Sequence, residues 1–340
     1  MGNIGGTWVG WMLGDHSSKD FTVRDAKRFM RGKFPSYAGT LADTNLFDQA
    51  MFDAVYEMQR RYNAAGKLHP PTGILDLDTQ IVMGFRKPPP KVLPIIFTVE
   101  GHLSNMFAGP CAFVASTPEA LGVCHWQPVG YDCVSLPFRN QTGVAELVRL
   151  LSCDRLGPNN SWPFPDDLPW GLMGFSQGAI VTGKTWLQQL RPATGGRLAA
   201  RRDHLRRAIS FGDPYREKNV IAEWVPDPPK KGTQGISDVR MDNTPPWWKV
   251  HSRHGDLYSE NPDDEVGLNR TAIYKIASEN SWAGGPAALL NRILDAVTDP
   301  VDGVVDIALA ILGGAMFLGK MESHGAYDLN PCIEHMRGVR

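Results

Sequence analysis

A pentapeptide at residues 174–178, Gly-Phe-Ser-Gln-Gly, constrains the fold of this chain more than any other stretch. Apolar segments precede it at residues 170–173 and follow it at residues 179–182. A G-x-S-x-G sequence between a strand and a helix is typical of a nucleophile elbow, where the serine occupies a strained turn. The flanking glycines leave room for that turn because they carry no Cβ atom. We therefore predict a strand, a sharp turn and a helix, with Ser176 as candidate nucleophile. The alternative is a glycine-rich turn with an incidental serine, since the chain contains 35 glycines.

Short apolar runs and helical patterns alternate after residue 91. The run at residues 92–99 is continuously apolar, as expected of a central strand that is buried on both faces. Further predicted strands are residues 133–136, 172–175, 208–211 and 248–250, and the predicted helices are residues 143–151, 179–190 and 198–207. This order predicts an α/β fold with a mostly parallel sheet and helices on both faces. An elbow within it indicates the α/β-hydrolase architecture, whose site lies at the carboxyl ends of the strands.

A nucleophilic serine needs a base, and the base needs a carboxylate that orients it. In α/β hydrolases the acid and then the histidine follow the serine along the chain. Asp213 and Asp256 both lie after Ser176 at predicted strand ends. We favour Asp256, because a glycine before it permits a tight loop that turns the carboxylate inward. Asp213 follows the strand after the elbow helix, where this fold usually has a structural turn.

The same chain order selects among the histidines. His251 and His254 precede Asp256 and therefore violate it, as does His204. His324 lies on a predicted loop after the last long apolar helix, which makes it the favoured base. A surface histidine without a role is the alternative for this residue, and His335, close to the C-terminus, is less favoured.

Acyl transfer also requires donors for the oxyanion of the tetrahedral intermediate. One donor is normally the backbone amide of the residue after the nucleophile, which is Gln177 here. The other normally comes from the loop after the first central strand, which reads Val-Glu-Gly-His-Leu-Ser at residues 99–104. The Gly101–His102 amide is our candidate, so the predicted oxyanion hole consists of Gln177 and His102. Alternatively, Gly101 only allows the chain to turn.

A proline run at residues 87–91 predicts a stiff, extended linker between two domains. The residues before it, 1–86, predict a small all-α domain. Helical spacing of apolar residues occurs in three segments, namely residues 21–29, 50–62 and 77–85. On the second of these, one face is predicted to carry Phe52, Val55, Tyr56, Gln59 and Tyr62. Asp76 is placed to cap the third helix.

Composition argues against several classes of function. The net charge is −1, so there is no bulk electrostatic attraction to nucleic acid or to an anionic membrane. The longest apolar stretch, residues 307–319, is too short to span a bilayer. The five cysteines are odd in number and lack zinc-site spacing, so we expect reduced thiols and no metal, and the alternative is one disulfide among Cys111, Cys124 and Cys133 if the protein works outside the cell. A serine mechanism needs no other cofactor. The N-terminus lacks the features of a secretory signal, which indicates synthesis in a cytoplasm.

Residues 54–63 and 72–79 follow the pattern A-V-x-x-[FM]-Q and T-G-x-L-D-x-x-T. This pattern resembles the peptidoglycan-binding modules of cell-wall hydrolases. The resemblance implies that the N-terminal domain binds peptidoglycan and holds a catalytic domain close to an insoluble substrate, which raises the local substrate concentration. A helical cap that binds no ligand is the alternative.

Residues 92–340 resemble the cutinase-like serine esterases, and most closely the lysin B enzymes of mycobacteriophages. The motifs that carry this resemblance are Gly-Phe-Ser-Gln-Gly at 174–178 and the stretches at 125–131, 211–216, 255–258 and 324–327. The resemblance implies a catalytic triad of Ser176, Asp256 and His324. It further implies hydrolysis of the ester that joins mycolic acids to arabinogalactan. Such an enzyme would be made in the host cytoplasm and would act at the cell envelope once lysis begins.

Residues 257–323, between the acid and the base, predict a helical insertion with apolar helices at 287–297 and 301–318. These helices could line a groove for a long lipid or simply add to the core. Other functions stay open: a cutinase- or lipase-type esterase, a mycolyl transferase, or a cell-wall-binding protein with an inert hydrolase fold. A peptidoglycan amidase or muramidase is less favoured, because neither a zinc-ligand set nor a supported carboxylate pair is evident.

Overall fold

The computed structural model describes residues 3–4, 7–17, 23–87, 92–279 and 322–339. Contacts between residues divide the chain into two compact units, Met1–Lys91 and Val92–Arg340.

The first unit is mainly helical. Its elements are strands β1 (Asn3–Ile4) and β2 (Thr7–Trp8) and helices α1 (Val23–Lys33), α2 (Pro35–Ala38), α3 (Gln49–Ala64) and α4 (Leu77–Val82). The three predicted helices correspond to α1, α3 and α4, whereas the sequence analysis did not predict the short α2. The cap that we predicted for α4 is present, because the Asp76 side chain accepts a hydrogen bond from the Thr79 amide at 2.7 Å.

The buried face of α3 differs in part from the predicted one. Val55 and Gln59 are fully buried as expected, but Tyr56 is 42% exposed. The buried stripe instead includes Met51, Ala54 and Met58. Residues at spacings of three, four and seven share one helix face, whereas Tyr56 lies about 100° around the helix from Val55. Tyr56 fits the helical spacing from Phe52 and Gln59, but the buried stripe is centred near Val55 and Met58, which leaves Tyr56 outside it.

Gln59 connects α3 to the turn that precedes α4. Its Nε2 donates to the carbonyl of Ile74 and to Oγ1 of Thr79, each at 2.8 Å. Its Oε1 accepts the backbone amides of Thr72 at 2.9 Å and Gly73 at 2.8 Å. A fully buried amide satisfied by this many partners fixes the turn in one position relative to the helix.

A five-stranded parallel sheet forms the centre of the second unit, with strand order β4-β3-β7-β8-β9. Its strands are β3 (Ile95–Val99), β4 (His125–Pro128), β7 (Trp170–Phe175), β8 (Leu205–Phe211) and β9 (Trp248–His251), while β5 (Arg155–Leu156) and β6 (Trp162–Pro163) pair separately. The helices are α5 (Pro110–Ala120), α6 (Asn140–Leu151), α7 (Gln177–Thr185), α8 (Gly196–His204), α9 (Glu265–Glu279) and α10 (Asn330–Arg337). The predicted α/β fold with a mostly parallel sheet is confirmed.

Two apolar cores cover the faces of this sheet. On β3, Phe97 packs in a cluster with residues of α6 and α7, whereas its neighbour Ile96 packs with residues of α5 and α10. Successive strand residues point to opposite faces, so a continuously apolar strand needs helices on both sides. The run that predicted a central strand is thus explained by burial on two faces.

One predicted strand is wrong. Residues 133–136 form a turn, and the strand that pairs with β3 is instead His125–Pro128. The Asp132 carboxylate accepts the amides of Val134 and Ser135 at 3.3 and 3.1 Å, which closes the turn locally. Asp side chains commonly stabilise turns in this way, in competition with a sheet ladder.

A helix end was also misplaced. The helix predicted at residues 198–207 ends at His204, and β8 begins at Leu205, which pairs with Trp170.

Of the predicted insertion, α9 is described, and the helices predicted at 287–297 and 301–318 lie outside the described residues. Throughout the described ranges, we find no helix with the length and apolar character needed to cross a membrane.

We predict that Gln59→Ala lowers the free energy of unfolding of the first unit by about 2–4 kcal/mol, because it leaves buried backbone groups without partners. Hydrogen exchange of the α3 amides in the full chain measures this loss. Gln49→Ala on the exposed side of the same helix is the control, with an expected change within about 0.5 kcal/mol. Equal protection in the two variants would contradict the role given to Gln59.

Candidate active site

Ser176 lies between the last residue of β7 and the first residue of α7, as the elbow motif predicts. Its backbone has φ 55° and ψ −118°, a sparsely populated conformation for a residue with a side chain. Its amide donates to the Phe211 carbonyl at 2.9 Å. A Cβ atom on Gly178 would come within 2.0 Å of the Val99 carbonyl oxygen, so only glycine allows α7 to approach β3 this closely.

The structure brings Ser176, His324 and Asp256 together. Nε2 of His324 lies 2.9 Å from Oγ of Ser176, and its Nδ1 lies 2.9 Å from Oδ1 of Asp256. The histidine and the aspartate are almost completely buried. Asp256 also accepts the Tyr258 amide at 2.9 Å, which fixes the carboxylate. A hydroxyl, an imidazole and a carboxylate in this order can generate an activated serine nucleophile.

Aromatic groups and a glycine hold the imidazole of His324. The rings of Tyr258 and Phe175 lie 4.8 and 5.2 Å from it between centroids. The Tyr327 hydroxyl donates to the His324 carbonyl at 2.7 Å. Gly212 has φ 51°, and a Cβ atom there would come within 2.5 Å of Cε1 of His324. The ring is therefore confined from several sides.

The alternative acid, Asp213, is buried in a turn after β8. Its Oδ1 accepts the Tyr215 amide at 2.7 Å. Burial is the main cause that raises its pKa to about 6, and the nearby Asp256 adds to the effect. Asp213 thus stabilises the turn that follows β8, as the sequence analysis expected of that position.

The other histidines considered from the sequence are engaged elsewhere. Their ring nitrogens contact, in turn, the Ala200 carbonyl (His204, 3.0 Å), Cys332 Sγ (His251, 3.2 Å), the Glu260 carboxylate (His254, 2.8 Å) and the Trp247 carbonyl (His335, 3.2 Å). Burial lowers the pKa of both His251 and His335 to about 4, which keeps these two rings neutral near pH 7.

The residues predicted for the oxyanion hole lie beside the nucleophile. Gln177 is the first residue of α7, so its amide is one of the free N–H groups at the helix start. Its side chain donates to Oδ1 of Asn140 at 3.0 Å. Gly101 is also close, because a Cβ atom there would lie 3.0 Å from Cβ of Ser176. The roles of the Gln177 and His102 amides stay predictions.

The sequence analysis missed two buried polar residues of this region. Asn140, at the start of α6, holds the Gln177 side chain. Glu100 follows β3 directly, and burial raises its pKa to about 7. An acidic residue immediately after a largely apolar strand was an available signal for Glu100. For Asn140 the only signal was a polar residue before a helical pattern.

All five cysteines are free thiols. Among the residues that the structure describes, no cluster of His, Cys, Asp and Glu side chains could hold a metal ion.

We predict that Gly212→Ala displaces the His324 ring and slows covalent labelling of Ser176 by a fluorophosphonate about 100-fold, because a shift of about 1 Å can cost this much. Gly325→Ala is the matched control, since it adjoins His324 but a Cβ atom there meets nothing within 4 Å. Labelling rates of the two variants at equal protein concentration measure the difference. Equal rates would show that Gly212 does not confine the ring.

No family model matches the chain. Endolysin B of Mycobacterium phage D29 is 26% identical over 259 residues, which cover 72% of this chain and 99% of that protein. The crystal structure of lysin B from mycobacteriophage D29 matches with a TM-score of 0.56 and 24% identity, over 73% of this chain and 100% of that one. A cutinase-like protein from Cryptococcus sp. matches with a TM-score of 0.37 and 18% identity, over 49% of this chain and 79% of that one. The chain is thus a homologue of endolysin B of Mycobacterium phage D29 and shares the α/β-hydrolase fold of lysin B.

Proposed function

We propose that the chain is a serine esterase of phage lysis that hydrolyses the ester between mycolic acids and arabinogalactan in the mycobacterial cell envelope. The homology to endolysin B supports an esterase of phage lysis. The observation that carries the proposal is the hydrogen-bonded chain Ser176–His324–Asp256 at a nucleophile elbow. The choice of substrate rests on the sequence motifs that resemble lysin B.

In the first half of the reaction, His324 takes the proton of Ser176 while Oγ attacks the ester carbonyl carbon. Asp256 accepts a hydrogen bond from the Nδ1–H group of His324, which leaves Nε2 free to act as the base. The same carboxylate stabilises the imidazolium that forms. The buried position of this pair strengthens their interaction relative to water. The tetrahedral intermediate then collapses, and the sugar hydroxyl leaves with the proton from His324.

In the second half, water replaces the sugar alcohol. His324 removes a proton from the water, which attacks the acyl-enzyme carbonyl, and the fatty acid leaves as Ser176 recovers its hydrogen. In both halves the oxyanion would accept hydrogen bonds from the Gln177 amide and from the Gly101–His102 amide. These residues suffice for the chemistry without a metal or a nucleotide.

Other acyl enzymes would use the same groups. A mycolyl transferase differs only in the acceptor, since a sugar hydroxyl takes the place of water in the second half. A cutinase- or lipase-type esterase differs only in its substrate. Incubation with purified envelope material distinguishes them, because the proposed enzyme releases free mycolic acid, a transferase yields new mycolyl sugars, and a cutinase- or lipase-type enzyme leaves the mycolyl esters intact.

We also propose that the two compact units have separate functions: a peptidoglycan-binding domain at residues 1–86, a linker at 87–91 and the esterase domain at 92–340. The residues of the binding-module motif have structural tasks, since Val55 and Gln59 are buried and Asp76 caps α4. The motif therefore supports the module's fold, and any contact with peptidoglycan must come from other, exposed residues.

We predict that Ser176→Ala lowers kcat for a short-chain nitrophenyl ester by a factor on the order of 10⁴ or more, because the reaction loses its nucleophile. Ser152→Ala, at an exposed serine that donates to the Val148 carbonyl, serves as control and should retain full activity. Circular dichroism checks that both variants stay folded. Substantial turnover by Ser176→Ala would refute the proposed nucleophile, and an inactive, unlabelled parent protein would favour a wall-binding protein with an inert fold.

We predict that the full chain sediments with insoluble peptidoglycan and that removal of residues 1–91 abolishes this sedimentation. Ser176→Ala should sediment like the parent protein, since wall binding does not require the nucleophile. Sedimentation that survives the deletion would assign wall affinity to the second unit instead.

A further inference from the structure

Glu100 is a buried carboxyl group that the proposed reaction does not use. It follows β3 directly, at the carboxyl edge of the sheet, and is only 2% exposed. One side of the residue faces the start of α5 and the other faces the nucleophile. Burying a carboxyl group in such a place is costly unless hydrogen bonds compensate for the lost water.

The carboxyl group of Glu100 caps α5 from outside the helix. The N-cap residue Gly109 has no side chain that could do so, and the first turn of α5 contains no acidic residue. Oε1 of Glu100 accepts the Ala112 amide at 2.7 Å, and the nearby Cys111 amide also lowers the pKa of the carboxyl group. A Cβ atom on Gly109 would lie 2.3 Å from Oε2, so the close approach depends on glycine. A carboxylate is favourable here because the helix start presents free N–H groups and partial positive charge.

The backbone of Glu100 touches the nucleophile region at the same time. Its carbonyl oxygen accepts the Tyr131 hydroxyl at 2.8 Å and lies 2.7 Å from where a Cβ atom of Gly178 would be. The next residue, Gly101, approaches Ser176 so closely that a Cβ atom there would lie 3.0 Å from the serine Cβ. Any movement of Glu100 therefore moves the amides of Gly101 and His102 relative to the serine.

We propose that Glu100 is a positioning residue: its ionised carboxylate fixes the end of β3 to α5 and thereby holds the Gly101–His102 amide where it can donate to the oxyanion. This inference rests on the proposed esterase function. Ionisation matters because a carboxylate forms a stronger hydrogen bond with the Ala112 amide than a neutral acid does. Oε2 makes no hydrogen bond with the described residues, so the link between Glu100 and α5 depends on Oε1.

The charge of Glu100 changes in the range where the enzyme is assayed. Burial raises its pKa to about 7, against the opposing effect of the Ala112 and Cys111 amides. The titratable groups that face it are the Cys111 thiol on α5 and the Tyr131 phenol after β4. Burial raises the pKa of both well above their usual values, so both stay neutral near pH 7 and neither offsets the change at Glu100. As pH rises through 7, Glu100 loses its proton, and its hydrogen bond with the first turn of α5 becomes stronger.

The test compares kcat of the parent protein and Glu100→Gln on a short-chain nitrophenyl ester from pH 6 to pH 9. Glutamine keeps the shape but stays neutral, so it mimics the protonated parent at every pH. We expect the parent to exceed Glu100→Gln about 5- to 10-fold above pH 8 and the two to agree within about twofold at pH 6. The ratio of the two kcat values removes any dependence on pH that the two proteins share. KM should change little, because the oxyanion forms only after binding.

Two further variants complete the test. Glu100→Ala removes the hydrogen bond to the Ala112 amide and should lower kcat roughly 10- to 100-fold at every pH. Glu119→Gln is the matched control, since Glu119 lies at the other end of α5 and accepts the Trp126 amide at 2.9 Å. The ratio of the kcat of Glu119→Gln to that of the parent should not change with pH.

If the kcat ratio between the parent and Glu100→Gln does not change with pH, the proposal is overturned and Glu100 has a purely structural role. A Glu100→Ala protein with the parent's kcat would also overturn the proposal. If Glu100→Ala does not fold, the pH profile of Glu100→Gln decides alone. An inactive parent that does not react with a fluorophosphonate would instead refute the esterase function, so the two failures are distinguishable.

Discussion

The close approach of α7 to β3 is the constraint on which the rest of the site depends. Gly178 allows the helix to contact the Val99 carbonyl, and Ser176 accepts a strained backbone conformation at the turn between strand and helix. Strain of this kind persists only where the surroundings over-determine it. Here β7 is paired on both sides, with β3 and with β8, so the turn cannot relax without breaking the sheet. The serine hydroxyl is thereby presented at the sheet edge before any substrate arrives.

Parallel pairing explains why residues far apart in sequence meet at this edge. Ser176 and His324 are separated by 148 positions, yet their reactive atoms lie 2.9 Å apart. In a parallel sheet all strands end on the same side, so the loops after β3, β7, β8 and β9 converge there. Chain order and sheet topology together restrict which acid and which base can reach the serine, and this restriction led from the sequence to the candidate triad.

Prediction from the sequence failed where local hydrogen bonds or a neighbouring element determine the structure. Residues 133–136 have apolar strand character, but Asp132 closes a turn through side-chain hydrogen bonds that periodicity does not register. Tyr56 was assigned to the buried face by helical spacing, although the stripe through Met51, Val55 and Met58 is the one that packs. Asn140 and Glu100 have roles that depend on partners elsewhere in the fold, and a single sequence gives no sign of such partners.

Asp256, the carboxylate of the candidate triad, is buried among other charged groups. A second carboxyl group, Asp213, lies near it, and two buried carboxylates side by side would each disfavour the other's charge. Arg216 is also buried and interacts favourably with Asp213, Asp256 and Glu260. Burial lowers the pKa of the arginine, and these three acidic residues oppose that effect. Its guanidinium is fixed by the Ser259 carbonyl at 2.6 Å and by Oγ1 of Thr233 at 2.7 Å. Because its pKa remains about 10, the arginine keeps its charge near neutral pH. A fixed cation therefore balances part of the negative charge that Asp213, Asp256 and Glu260 bring into this buried region.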